Sequence, residues 1–239
     1  MTPPLLELTG ISKGYGGLRP LRIERLTVTP AERLLVLGFD RPMAEVFVNL
    51  VTGTSLPDHG TVVAFGRPTS AVSDSADWLA LVDRFGIVSD RVVMLEGMTA
   101  IQNLALSFTL DIEPPTGDAR QRAEELAREV GLPESSWHLP IGGLDGLARA
   151  CLRLARAVAL DPALLLLEHS TSAVDAGQAA DFGARLHAVA SRRSAAVVAL
   201  SADEAIAETF PGRALRLDPA SGKVAGRTVA RRWFGRRSG

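Results

Sequence analysis

Residues 144–175 read LDGLARACLRLARAVALDPALLLLEHSTSAVD, and three patterns follow one another within them. Leu147–Leu160 places apolar residues at helical spacing among arginines, which marks an amphipathic helix. Asp161-Pro162 interrupts it. Ala163–Leu167 is then a continuous apolar run that closes on the acidic Glu168. So short an apolar run between breakers marks a strand buried on both faces, the habit of a parallel sheet. Ala195–Leu200 repeats the pattern after an amphipathic stretch over roughly 176–192. Buried strands alternating with helices predict a doubly wound, mostly parallel α/β sheet.

Outward from this stretch, Leu5–Leu8, Leu21–Val28, Arg33–Leu37 and Gly60–Phe65 are short apolar or alternating runs punctuated by Gly and Pro, and read as strands. Met43–Val51 reads as a crossover helix, and Asp118–Val130 as a charged amphipathic helix ended by Gly131 and Pro133. The chain has 239 residues, 46% hydrophobic and 22% charged, with 26 basic against 27 acidic side chains. That composition is globular rather than disordered, and its near-neutral charge argues against a nucleic-acid-coating protein. All the basic residues but Lys13 and Lys223 are arginine. The lone Cys151 forms no intrachain disulfide and is expected in the core. No apolar run is long enough to span a bilayer, and MTPPLLELTG lacks the pattern of an export signal, so a cytoplasmic location is expected. Residues 227–239 hold five arginines, no acid and the pair Trp233-Phe234; they form a basic tail that is either solvated or in contact with anionic headgroups or a partner's acidic surface.

The order of these elements over residues 5–225 resembles the ATP-binding cassette (ABC) transporter ATPase subunits. Residues 144–175 resemble the family's signature loop, following helix, Walker B strand and D-loop. KGYGGLRPL (13–21) resembles the adenine-stacking aromatic loop, and GIVSDRVVMLEGMTAIQNLAL (86–106) the glutamine-loop segment, with Thr99 and Asn103 in place. The resemblance implies a P-loop NTPase-like fold with an antiparallel β subdomain and a helical subdomain at about 92–150, within a domain spanning 1–226.

The positions that carry the family's chemistry depart from its pattern. The phosphate loop corresponds to Gly38-Phe39-Asp40-Arg41-Pro42-Met43-Ala44-Glu45-Val46. Arg41 and Met43 stand where the family has glycines, and side chains there are expected to hinder the tight turn; Pro42 removes a backbone donor. The lysine position is Ala44, and no lysine exists between Lys13 and Lys223 to replace it. The Mg²⁺-holding hydroxyl is Glu45, a carboxylate expected at a phosphate-binding helix N-terminus. Two or three lost charge-assisted hydrogen bonds, at roughly 1.5–3 kcal/mol each, weaken binding by about two to five powers of ten. Arg41 offers a substitute charge. The Walker B aspartate is Glu168, the sole metal-ligand candidate; the catalytic glutamate is His169, the glutamine-loop position Asp90 and the switch histidine Ala202. His59, His138 and His187 are expected at the surface. The signature loop is Leu144-Asp145-Gly146-Leu147-Ala148, with Asp145 opposing a partner's phosphate. Tyr15 and Gly38 are retained, as are Ser172 and Asp175 of the D-loop, which the resemblance places at the dimer interface.

The resemblance thus implies ATP and Mg²⁺ as cofactors, with weak or absent binding expected from these replacements. It implies a subunit under a membrane permease, at the inner face of the membrane, in a homo- or heterodimer with an ATPase subunit. Three functions follow as alternatives: a silent partner of an intact ATPase, a weak ATPase with unusual site chemistry, or a free-standing regulatory protein docking through its tail. No specific nucleic acid is expected.

Overall fold

The computed structural model describes residues 3–226; the basic segment 227–239 lies outside the described residues. In chain order the elements are β1 (Leu6–Lys13), β2 (Leu21–Val28), β3 (Arg33–Leu37), α1 (Arg41–Val51), β4 (His59–Ala64), β5 (Arg67–Pro68), α2 (Ser75–Val82), β6 (Phe85–Val88), α3 (Ala100–Ala105), α4 (Gly117–Glu129), α5 (Gly146–Ala157), β7 (Leu164–Glu168), α6 (Ala179–Arg192), β8 (Ala196–Ser201), α7 (Ile206–Thr209), β9 (Arg213–Leu217) and β10 (Val224–Gly226).

Six strands form the central sheet in the order β10-β9-β3-β8-β7-β6, parallel except for β10. Its middle strands serve two cores at once. Leu34 and Val36 of β3, Leu164 and Leu166 of β7, and Val198 of β8 point to one face, where α1 and the second sheet cover them. Leu35, Leu37, Leu165, Leu167 and Val197 point to the other, against α3, α4, α5 and α6. The two-residue period of a strand explains the split, and an apolar run with no polar alternation is what such a strand requires. The expected doubly wound sheet is therefore present.

The second sheet is antiparallel, in the order β2-β1-β4-β5. Leu6 and Leu8 face inward, but the next core residue on β1 is Ile11, because the register with β4 shifts between Thr9 and Ser12. Gly10, at φ 62°, adopts the left-handed conformation that this bulge needs. Cys151 is buried in the helical core, and burial pushes its thiol pKa up. His59, His138 and His187 are exposed. Among the described residues no helix is long and apolar enough to cross a membrane.

Periodicity assigns no element to Ser75–Val82, Phe85–Val88 or Arg213–Leu217. The two strands are only four and five residues long, and their pairing comes from β7 and β3, distant in sequence. The helix is anchored from outside by Trp78, whose indole N–H donates to the Thr52 carbonyl at 3.1 Å.

Leu166 is fully buried. Leu166→Ala is expected to destabilise the chain by about 2–5 kcal/mol, read as a lowered urea midpoint with unchanged slope.

Candidate functional site

The connection from β3 to α1 is only Gly38-Phe39-Asp40. Gly38 sits at φ 92°, and a Cβ there would lie 2.8 Å from the Leu217 carbonyl oxygen. The N–H groups of Gly38 and Phe39 both donate to the Ser201 carbonyl, at 3.0 and 3.3 Å. Phe39 is buried and meets Phe47 edge-to-face, with ring centroids 5.6 Å apart. Asp40 is the N-cap of α1, its Oδ1 accepting from the Met43 N–H at 2.8 Å.

This corrects two expectations. No glycine-type turn is formed at Arg41 and Met43, since both are already helical; α1 begins at Arg41, two residues before the expected Met43. Asp40 as cap and Pro42 in the first turn favour that early start. Nor does Glu45 crowd the helix N-terminus. It lies in the second turn, and the carboxylate at the N-terminus belongs to Asp40. Ala44 is 0% exposed and faces the core; Val46 is half-buried against the same core.

Beyond α1 lies a compact charge network around a small cavity of ≈ 160 Å³ lined by Arg41, Pro42, Glu45, Asp90, Arg91, Glu168 and His169. Glu168 ends β7 with a side chain only 6% exposed. Arg91 grips it with two bonds, Nε to Oε2 at 2.9 Å and Nη2 to Oε1 at 2.5 Å, and the Ser89 hydroxyl donates to Oε2 at 2.8 Å. Paired, bidentate geometry is what makes a buried carboxylate tolerable. Arg91 also reaches Glu45, Nη1 to Oε1 at 3.1 Å. Its own N–H donates to Ser89 Oγ at 3.1 Å, which fixes the turn that aims it. The Glu168 hydrogen bond holds the Arg91 pKa above its usual value.

Arg41 forms a second bridge. It pairs with Asp90 through Nη1, and its Nη2 donates to Ser172 Oγ at 3.1 Å. Burial acts to raise the Asp90 pKa, but the hydrogen bond and charge of Arg41 outweigh it and hold the carboxyl below its ordinary 3.8. His169 takes φ 46°; its N–H donates to the Leu200 carbonyl at 3.1 Å and its own carbonyl accepts from Ser172 N–H at 2.9 Å. Its Nε2 is buried. A general base needs a partner that orients it, and among the described residues none bonds His169 Nε2.

The signature-equivalent loop repeats the device seen at α1. Asp145 caps α5, Oδ1 accepting from the Ala148 N–H at 2.7 Å. Leu144 and Ala148 are buried and Leu147 packs against the helical core. Gly146 lies so close to the D-loop that a Cβ would fall 1.9 Å from the Ala173 carbonyl oxygen. Asp175 is exposed. Thr99 and Asn103 are structural: Thr99 forms a capping box with Gln102, and the buried Asn103 amide bonds the Leu95 N–H and the Leu95 and Thr99 carbonyls.

Tyr15, Gly38, Asp40 and Ala202 line a separate open cleft of ≈ 840 Å³ with Arg19 and Arg216. Burial, aided by the Asp40 charge, raises the Tyr15 pKa. At Ala202 a methyl group offers no hydrogen bond.

The residues do not fit the MgATP that the resemblance implies. The helix N-terminus that would meet phosphate is capped by Asp40. The two carboxylates at the metal positions, Glu45 and Glu168, are bridged by a guanidinium. Arg41, the substitute charge, is engaged with Asp90 and Ser172. Arg91 and Asp40 are the residues that sequence reasoning missed; the adjacent Asp90-Arg91 pair and the Asp40-x-Pro42 pattern were the available signals.

Breaking a buried ion pair costs about 3–5 kcal/mol. With the Arg91 head 42% exposed, Arg91→Ala is expected to cost about 2–3 kcal/mol, and a double-mutant cycle with Glu168→Gln to show favourable coupling. Because the folded Asp90 pKa is depressed, its stabilising contribution is present above the unfolded value and is lost as pH falls through the folded one. Asp90→Asn is therefore expected to flatten the acid limb of urea midpoint against pH below about pH 4.

No family model matches the chain. It is 28% identical over 172 residues to the methionine import ATP-binding protein MetN of Brucella abortus (strain 2308), covering 72% of this chain and 46% of that protein. The chain thus spans about half the length of that relative. It is 27% identical over 175 residues to the lipoprotein-releasing system ATP-binding protein LolD of Psychrobacter arcticus, covering 72% and 77%. Among solved structures, the ATP-binding cassette MJ0796, in a dimeric post-hydrolysis state bound to ADP and Pi, superposes with a TM-score of 0.73 at 19% identity over 93% of this chain and 99% of that one. The cbiO1 protein of Clostridium perfringens, part of the ABC transporter complex cbiONQ, gives a TM-score of 0.75 at 15% identity over 92% and 86%. The chain is thus similar in sequence to ATP-binding subunits of ABC transporters and has the fold of ATP-binding cassettes.

Proposed function

We propose that the chain is a catalytically silent, nucleotide-binding-domain-like subunit of an ABC transporter, which pairs with an intact ATPase subunit beneath a membrane permease. The observation that carries this reading is the Arg91 guanidinium seated between Glu45 and Glu168. The Asp caps on α1 and α5 support it from both ends. Each places a carboxylate where the resemblance puts phosphate, one at the chain's own site and one at a partner's. The relatives are named for methionine import and lipoprotein release, two unrelated cargoes, so no substrate is assigned. In this reading residues 1–226 form the cassette, the helices within about 92–150 its helical subdomain, and 227–239 a basic appendage at the membrane's inner face.

The weak-ATPase reading has one observation in its favour, the Arg41 side chain, still 57% exposed beside the cavity. Calorimetric titration of the purified chain with MgATP to millimolar concentration decides between the two. Silence predicts no heat of binding, beside an intact ATP-binding subunit as positive control. Micromolar binding, followed by turnover abolished in Arg41→Ala, would replace the silent reading with the enzymatic one. Ala44→Lys is unsuitable as a repaired control, because it would place an ammonium group in the core.

A further inference from the structure

Two guanidiniums tie together three segments that are far apart in sequence. Arg91, on the turn after β6, joins Glu45 of α1 to Glu168 at the end of β7. Arg41, at the start of α1, joins Asp90 to Ser172 in the loop after β7. Arg91 has the features of a built fixture. Its backbone is pinned by Ser89, the same serine completes the oxygens of Glu168, and all three of its guanidinium nitrogens have carboxylate partners.

We propose that Arg91 is a resident cation: its guanidinium occupies the place between Glu45 and Glu168 that suits a divalent ion, and it cross-links α1, the 89–91 turn and the end of β7 permanently. Glu45 and Glu168, the two carboxylates held by this one cation, are hard-oxygen donors of the kind Mg²⁺ and Mn²⁺ accept together with several waters. The guanidinium satisfies the same oxygens with fixed N–H bonds and requires neither metal nor nucleotide. The order of these segments is thus independent of nucleotide. This inference rests on the silent reading above, but it concerns how the segments are held, not whether ATP binds.

The test uses Mn²⁺ alone, followed by electron paramagnetic resonance, on the whole chain and on Arg91→Met, which keeps an apolar stem and removes the charge. The native chain is expected to leave Mn²⁺ free at millimolar concentration. Arg91→Met is expected to bind it with about millimolar affinity, and Arg91→Met with Glu168→Gln to lose that binding. At a tenfold excess over Kd, Mn²⁺ is expected to raise the Tm of Arg91→Met by about 2–5 °C and to leave the native Tm unchanged. A merely structural ion pair predicts destabilisation by Arg91→Met with no metal uptake, and that outcome in a folded variant overturns the proposal. Uptake of Mn²⁺ by the native chain overturns it equally, whatever calorimetry shows for MgATP.

Should Arg91→Met fail to fold, hydrogen exchange of the native chain decides. The proposal expects protection across 41–45, 89–91 and 168–172 that MgATP does not alter, and rapid exchange there refutes it. MgATP binding with that protection unchanged would defeat the silent reading and leave the resident cation standing.

Discussion

The carboxylate of Glu168, buried at the C-terminal end of β7, constrains everything around it. An isolated charge at that depth costs more than the strand's leucines return, so a cation must meet it. Arg91 does so from the turn after β6, which the parallel pairing of β6 with β7 brings alongside. Because the guanidinium has nitrogens to spare, it also binds Glu45, and α1 is thereby held against the sheet edge. Arg41 answers Asp90 and Ser172 in the same way. The arginine-rich, lysine-poor composition suits this arrangement, since a planar, multiply donating head can bridge two carboxylates where a single ammonium cannot.

A second regularity concerns helix N-termini. α1 and α5 each begin at an aspartate whose side chain accepts from a backbone N–H of the first turn. Such a cap satisfies orphan donors and complements the helix dipole, and it consumes the property that makes a helix N-terminus attract an external anion. At α1 and α5 both helix N-termini are internally neutralised. Around them the sheet, its two cores and the close approach of Gly146 to Ala173 are formed, and the Asp40 and Asp145 carboxylates turn onto backbone N–H groups of their own helices.

Much of the fold was legible in the sequence because burial on both faces leaves an unmistakable apolar run. Ala163–Leu167 and Ala195–Leu200 announced β7 and β8, and Leu21–Val28 and Arg33–Leu37 matched β2 and β3 end to end. Short strands whose pairing is wholly non-local, β6 and β9, left no comparable trace. At the site, the absence of a lysine near Gly38 was equally plain, since it depends on composition alone. The start of α1 was misplaced by two residues, because glycine positions were weighed and the capping power of Asp40 was not.

The sequence by itself determined the layered parallel architecture and the lack of any lysine between Lys13 and Lys223. Only the tertiary structure decided which charged side chains meet. Arg91 and Glu168 are 77 residues apart, Arg41 and Asp90 49, and Arg41 and Ser172 131. Periodicity is local and reports which face of an element is buried. Charge pairing depends on strand order and on side-chain reach, so three scattered acids and two arginines come together only once β6 lies beside β7 and α1 begins at Arg41.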